Sequence, residues 1–350
     1  GGTRIRTVLG DEYQQALVTS FPSTTGNADI SALFFLKAFS GLRANGVLGL
    51  IATNTIAQGD TRQAGLEVIS RSGGTIFSAQ SNVRWPGIAA VFVNVVHIFK
   101  GYIREPYLLD GLQVSQISTF LDSRPANADP YQLIANSGRS FNGTYVNGMG
   151  FILEPTEAEM LFQIDPRNKE VVFLYLNGED LNNNPDQHPS RWAINFHNWP
   201  LERASLYASS MEIVRERVYP IRAKNRDKQR REIWWQFTRP TIELYAAVEP
   251  LTRVLVRSRV SDKFIFSFVP KGWIYNERLV VFAYDDGFHY GVLQSSIHEV
   301  WARAYGSSLK MDLLYNPTNC FETFPFPQVE AEEQESITLR AEPYHEMRRE

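Results

Sequence analysis

Few residues in this chain are placed to do chemistry, and they fall into three groups. Trp85 stands in the turn Arg84-Trp85-Pro86-Gly87 between two apolar runs. Arg257, Arg259, Ser261 and Lys263 lie on a strand-like stretch; residues two apart on a strand share a face, so the first three are expected to point together. Arg222, Lys224, Arg226, Lys228 and Arg230 belong to a basic run, 215–232, in which eight Lys/Arg stand against three Asp/Glu. Such a run suits phosphate contact, although most charge runs are solvated helix faces. Adjacent acids occur at Asp285-Asp286 and Glu179-Asp180, where Gly-containing loops favour turn formation over an acid/base pair. Pro185-Asp186 with Glu202-Arg203-Ala204 lacks the lysine a metal-dependent nuclease would place after its second acid. Arg139-Ser140-Phe141-Asn142 and the asparagines at 182–184 read as polar turns. The six histidines have no metal-ligand spacing, and no G-x-G-x-x-G, P-loop, H-E-x-x-H, C-x-x-C or G-x-S-x-G occurs.

The elements that must position these residues change character along the chain. Apolar periodicity predicts a well-buried helix over 28–42, with Ile30, Leu33, Phe34 and Ala38 on one face and Phe35, Phe39 and Leu42 on a neighbouring one. Gly46 stops it, and the continuous run 47–52 reads as a central parallel strand. A helix over 61–70, a strand over 75–79 and a Val-rich strand over 88–99 follow, the last two close enough to form a hairpin. Beyond residue 105 short mixed segments take over. Helices are expected at 157–163, 209–231 (interrupted at Pro220) and 295–305, and strands at 253–259, 264–269 and 278–283. The texture divides the chain into 1–105, 106–327 and a polar tail, 328–350, helical or disordered, with seven Glu against three Arg.

At 350 residues and 43% hydrophobic, the chain can bury a sizeable core and is not disordered throughout. The net charge of −3 announces no nucleic-acid partner on its own, yet it averages a basic patch with an acidic tail. A single cysteine, Cys320, excludes an internal disulfide and fits a reducing cytosol. The longest apolar run is broken by Asn94 and His97 and falls short of the ~20 residues that span a bilayer. The N-terminus lacks a signal-peptide layout, so a cytoplasmic protein is expected.

The order helix, apolar strand ending in Thr53-Asn54, helix, strand, Trp-Pro turn, long strand resembles the C-terminal half of gamma-type amino-group DNA methyltransferases. Six segments are similar to the bacterial type IIG/IIL adenine-specific restriction-modification enzymes: Gly1-Gly2-Thr3-Arg4-Ile5-Arg6, Leu9-Gly10-Asp11-Glu12-Tyr13, the 51–59 stretch, Pro130-Tyr131-Gln132-Leu133-Ile134-Ala135-Asn136, the 175–182 stretch and Phe321-Glu322-Thr323-Phe324-Pro325-Phe326-Pro327. The resemblance spans nearly the whole chain. It implies an α/β fold: the second half of a doubly wound, Rossmann-like S-adenosylmethionine-methyltransferase sheet ending in a β-hairpin, followed by an α+β target-recognition domain.

By this resemblance Trp85 would stack on an adenine flipped out of double-stranded DNA, offsetting the cost of unstacking. Asn54 would border the target-base pocket, and Asp29 and Phe34 the cofactor. Their ordinary readings are a strand-end turn former, a helix N-cap and a core aromatic. Recognition would fall to Arg257, Arg259, Ser261 and Lys263 at base edges and to Arg222, Lys224, Arg226, Lys228 and Arg230 at phosphates. No metal is implied. The family's Asn-Pro-Pro-aromatic motif would precede Gly1, so the chain is expected to be cut behind it, inactive alone, and to partner the N-terminal remainder of the same protein. Two alternatives stay open: a non-catalytic DNA-binding specificity module, and an unrelated α/β enzyme.

Overall fold

The computed structural model describes residues 5, 8–22, 28–104, 106–123, 129–309 and 312–348. Of the Gly-Gly-Thr-Arg-Ile-Arg stretch only Ile5 lies within them, and Arg349 and Glu350 lie outside. The chain divides into two compact units, Gly1–Pro130 with Tyr305–Leu313, and Tyr131–Ala304 with Leu314–Glu350. The division falls at Pro130, whereas the sequence texture changes near 105. The reason is that two short strands beyond 105 still pair within the first sheet.

In the first unit, α1 (Asp11–Ser20) precedes α2 (Ile30–Gly41). Asp29 starts α2 in an extended conformation, its carboxylate accepting the Ser31 N–H at 2.9 Å. Ala32, Phe35 and Phe39 form the buried stripe, each phenylalanine contributing roughly 1.5–3 kcal/mol. Phe34, expected inside, is 64% exposed, because the buried stripe is narrower than the all-round apolarity of 28–42 suggests. Lys100 Nζ caps the helix end, donating to the carbonyls of Phe39 and Leu42 at 3.1 and 2.7 Å.

The sheet runs β1 (Val47–Thr53), β3 (Phe92–Lys100), β2 (Gly74–Arg84), β4 (Tyr107–Leu109), β5 (Leu112–Val114) in spatial order. The expected hairpin is present, with β2 and β3 antiparallel. Its second strand inserts beside β1, also antiparallel, from Val47↔Phe99 to Thr53↔Val93. Among the described residues β1 is therefore an edge strand, not the central parallel strand expected. Its burial alternates, with Leu48 and Ala52 inside and Val47 and Ile51 54% and 57% exposed. β3 begins at Phe92, four residues after the expected Ile88, since 85–91 makes the connection. A helical run, Gly59–Arg62, Gln63–Glu67 and Val68–Arg71, covers the core side with a π turn in its middle. Buried Arg62 pairs with Glu67 at 2.9 Å and Asp129 at 2.5 Å and lies over the Phe120 ring.

The second unit is α+β. One sheet has the order β12 (Ser267–Pro270), β10 (Arg253–Ser258), β14 (Leu279–Phe282), β6 (Ser140–Asn142). Another runs β13 (Ile274–Tyr275), β8 (Val172–Leu176), β9 (Arg191–Ile194), β7 (Ile152–Leu153). Ser140-Phe141-Asn142, read as a turn, is thus a strand. Helix α3 (Pro155–Ile164) opens with a Glu154/Glu157 capping box. The expected 209–231 helix is three pieces, α4 (Ala208–Arg217), α5 (Tyr219–Arg222) and α6 (Lys228–Glu232), broken around Pro220 and again at 223–227. Met211, Val214 and Val218 are buried as expected, but Ile221 faces solvent. After α7 (Ile242–Val248) and the short strand β11 (Val260–Ser261) come α8 (Gly287–Leu293) and α9 (Ser296–Tyr305). The acidic tail is a helix, α10 (Ala331–Met347), which buries Ala341 and His345. No helix among the described residues is long and apolar enough to cross a membrane.

Gly143 fastens the second unit. Its N–H donates to the Leu279 carbonyl at 2.9 Å, and a Cβ there would overlap the Asn276 carbonyl oxygen and lie 2.6 Å from that of Tyr275. Backbone atoms cannot step aside as a side-chain tip can. Gly143→Ala is expected to destabilise the unit by about 2–3 kcal/mol, read as a lowered urea midpoint; an unmoved midpoint would refute the close approach.

Candidate nucleic-acid interface

Strand ends and the hairpin tip gather polar side chains in the first unit. Asn54 follows β1 and is buried; its Nδ2 donates to Ser308 Oγ at 3.0 Å. Gln58 donates to the same oxygen at 2.7 Å and accepts the Ser308 N–H at 3.0 Å, so two amides hold the returning 305–313 segment. Buried Asn94, the third residue of β3, bridges in the other direction. Its Nδ2 reaches the Asn54 carbonyl at 3.3 Å, and its Oδ1 accepts the Asn82 N–H at 2.8 Å. Asn82 has φ 51 and sits where the β2–β3 register slips, between the pairs Gln80↔Val95 and Val83↔Val93. A bulge re-aims the strand beyond it. What lies beyond is Trp85, 40% exposed, its N–H donating to the Val91 carbonyl at 3.0 Å.

Asn54 and Trp85 are therefore linked through Asn94 and the bulge, whereas Phe34 stands on the solvent side of α2 and Asp29 serves as its N-cap. Sequence reasoning passed over Asn94 and Gln58. The signal for Asn94 was there: a carboxamide interrupting an apolar strand needs a buried partner.

The second unit separates the basic residues into two kinds. Arg257 is not available to a base edge. β10 is paired on both sides, and its residues from Val254 to Arg257 have no exposed surface. The guanidinium lies 4.6, 5.0 and 4.4 Å from the ring centres of Phe264, Phe266 and Tyr315, and burial pulls its pKa down to about 10. Nor do Arg259 and Ser261 continue its face, because β10 ends at Ser258. The Arg259 carbonyl accepts from Tyr315 at 2.7 Å, and Ser261 Oγ accepts the Lys263 N–H at 3.0 Å. Lys263 itself is exposed.

Arg222 is likewise a correction: it is buried, not a phosphate contact. Its fork donates to the carbonyls of Trp234 and Val146 at 3.1 Å each, to that of Gln236, and to Thr238 Oγ1 at 3.4 Å. Burial lowers its pKa to about 10. Lys224, Arg226 and Lys228 stay exposed, and Arg230 is half-buried, 3.3 Å from Asp227. Arg231 donates to the carbonyls of Asn225 and Arg226, which holds the loop that carries them.

The paired acids are structural. Asp285 accepts from Thr252 and Asp286 caps α8, while Asp180 is buried and accepts the Ser190 N–H. Beside the Arg257 cage, His298 is fully buried. Its Nδ1–H donates to the Leu293 carbonyl at 2.7 Å and Nε2 accepts from the Tyr315 hydroxyl at 3.0 Å. Burial pulls its pKa to about 4, and pushes that of the nearby Cys320 thiol up to about 12. Among the described residues no three His, Cys, Asp or Glu converge as a metal site.

The chain is similar to known proteins in sequence and in fold. No curated protein matches it. Among solved structures it is similar to the type IIL restriction-modification enzyme MmeI, determined in complex with DNA, with a TM-score of 0.78 and 17% identity over 95% of this chain and 46% of that one. A second, the type IIG restriction endonuclease BpuSI, aligns with a TM-score of 0.35 and 11% identity over 91% of this chain and 45% of that one. The chain thus spans less than half the length of either. A family model described as "MmeI, target recognition domain" matches residues 136–328, more than half of the sequence, and the chain belongs to that family.

Proposed function

We propose that residues 136–328 recognise a sequence in double-stranded DNA as part of a bacterial, cytoplasmic restriction-modification enzyme, and that the first unit is the rear half of its adenine-N6 methyltransferase sheet. The family match carries the first part. The exposed Lys224, Arg226 and Lys228 support it, since phosphate contacts set register on a duplex. For the second part, the support is the antiparallel β2–β3 hairpin, the feature with which the resemblance implies that the sheet ends. Among the described residues β1 pairs on one side only, and its free edge is where a further strand would join the sheet.

S-adenosylmethionine fits the residues present in part. Phe34 leaves an open aromatic face of the kind that stacks on adenine, whereas the Asp29 carboxylate is engaged as an N-cap. When bound, the cofactor would supply an electrophilic methyl group. Phe34 would stack on it, and Trp85 would hold the flipped base beside Asn54. The sequence contains no Asn-Pro-Pro-aromatic motif to grip the amino group.

The test is selection of bound duplexes from a random library, followed by affinity against salt. Enrichment of one short sequence is expected, with affinity falling steeply as salt rises. Lys224→Gln, Arg226→Gln and Lys228→Gln together should reduce the slope of log affinity on log salt by about 2–3. No binding at low salt would refute DNA recognition.

A further inference from the structure

We infer that the tip of the β2–β3 hairpin is a wedge that enters the base stack of duplex DNA, with Ile88 as the inserted side chain. This rests on reading the first unit as part of an enzyme that extrudes its target base. Residues 85–91, Trp-Pro-Gly-Ile-Ala-Ala-Val, carry no charge, and Ile88 is fully exposed. The hairpin runs past β1, whose pairing with β3 stops at Val93, so nothing on β1 pairs with the tip.

The tip is held in shape. Trp85 N–H donates to the Val91 carbonyl at 3.0 Å and Val91 N–H to that of Ala89 at 2.9 Å. A Cβ at residue 87 would lie 2.5 Å from Trp85 Nε1, so the indole rests over a glycine and Ile88 follows directly. Beneath them, Asn94 fixes the bulge at Asn82 to the end of β1. A fully solvated isoleucine on a braced turn is an apolar probe with its ordering cost largely met before binding.

Charge selects the partner. The 85–91 turn holds no Asp or Glu, and Arg84 is exposed directly next to it. An uncharged apolar point flanked by an exposed arginine suits a polyanion with an apolar interior, which is a stacked duplex. Apolar side chains inserted between base steps partly unstack them. Ile88 would fill the space left by the extruded base while Trp85 receives that base, so one turn serves both sides of the exchange.

The full chain is tested on the duplex selected from the library, with 2-aminopurine replacing each adenine in turn as a reporter of unstacking. One position is expected to brighten with the wild-type chain. Ile88→Ser should cut that rise at least fivefold while duplex affinity drops no more than about threefold. An abasic site opposite the target should restore the rise, because less pairing then has to be broken. Since Ile88 is fully exposed, folding is not at risk, and circular dichroism checks this. An unchanged rise in Ile88→Ser, as for a tip that docks on a protein, overturns the wedge. So does no rise at any adenine of a duplex that the wild-type chain binds, which leaves DNA recognition standing. Failure to bind any duplex overturns that reading and the wedge with it.

Discussion

Arg222→Met is expected to lower the stability of the second unit by about 3–5 kcal/mol, while Arg257→Met leaves it within about 1 kcal/mol or raises it. Both arginines are buried, and both have guanidinium pKa values pulled down to about 10 by burial. Their hydrogen bonding separates them. Arg222 supplies the donors for three backbone carbonyls, those of nearby Trp234 and Gln236 and that of Val146, distant in sequence. Removing it strands buried acceptors whose desolvation is no longer compensated. Arg257 donates through Nε to its neighbour's carbonyl, Ser258, at 3.1 Å, while Nη1 and Nη2 have no protein acceptor. What holds it is the face of three aromatic rings, a contact that a methionine thioether also makes. Urea unfolding of the two variants is the measurement, and equal midpoints would overturn the distinction.

Acidification is expected to weaken the same unit through His298. Its folded pKa is pulled from 6.5 to about 4, by burial first, with the Arg257 charge acting in the same direction. In the unfolded chain it takes up a proton near 6.5, and in the folded chain only near 4. Between those values the unfolded state binds more protons, so stability falls as pH falls. The contribution is fully present above about pH 6.5 and is lost by about pH 4, a change of roughly 3 kcal/mol. Other groups titrate in this window, so the wild type is compared with His298→Gln. The variant should lose less stability between pH 7 and 4 by that amount; parallel curves would refute it.

Periodicity made α2, the hairpin and α9 legible because each depends on near neighbours in sequence. The surroundings of an element do not. The run 47–52 is equally apolar in a central strand and in an edge strand with one uncovered face, and Val47 and Ile51 are exposed here. Alternation correctly indicates which residues of a strand share a face, but not whether that face is covered. The extended stretch holding Arg257, Arg259 and Ser261 breaks at Ser258, and Arg257 lies on an interior strand of its sheet, paired on both sides. The basic run has the same weakness: its charge count gives no hint that Arg222 turns inward while Lys224, two residues on, turns outward. Of the candidate site, Trp85 at its turn was readable, whereas the carboxamide bridge through Asn94 depends on a register slip that no pattern in β2 announces.

The routing of the chain has a practical consequence for exchanging recognition units among relatives. The chain leaves the first unit at Pro130, returns at Tyr305–Leu313, and leaves again into the second unit. No single junction separates the two. A hybrid joined only near 130 would import a foreign 305–313 segment onto the resident Asn54 and Gln58, whose amides converge on Ser308. Three seams are needed, near 130, 305 and 313, so that the clamp and the segment it grips come from the same parent.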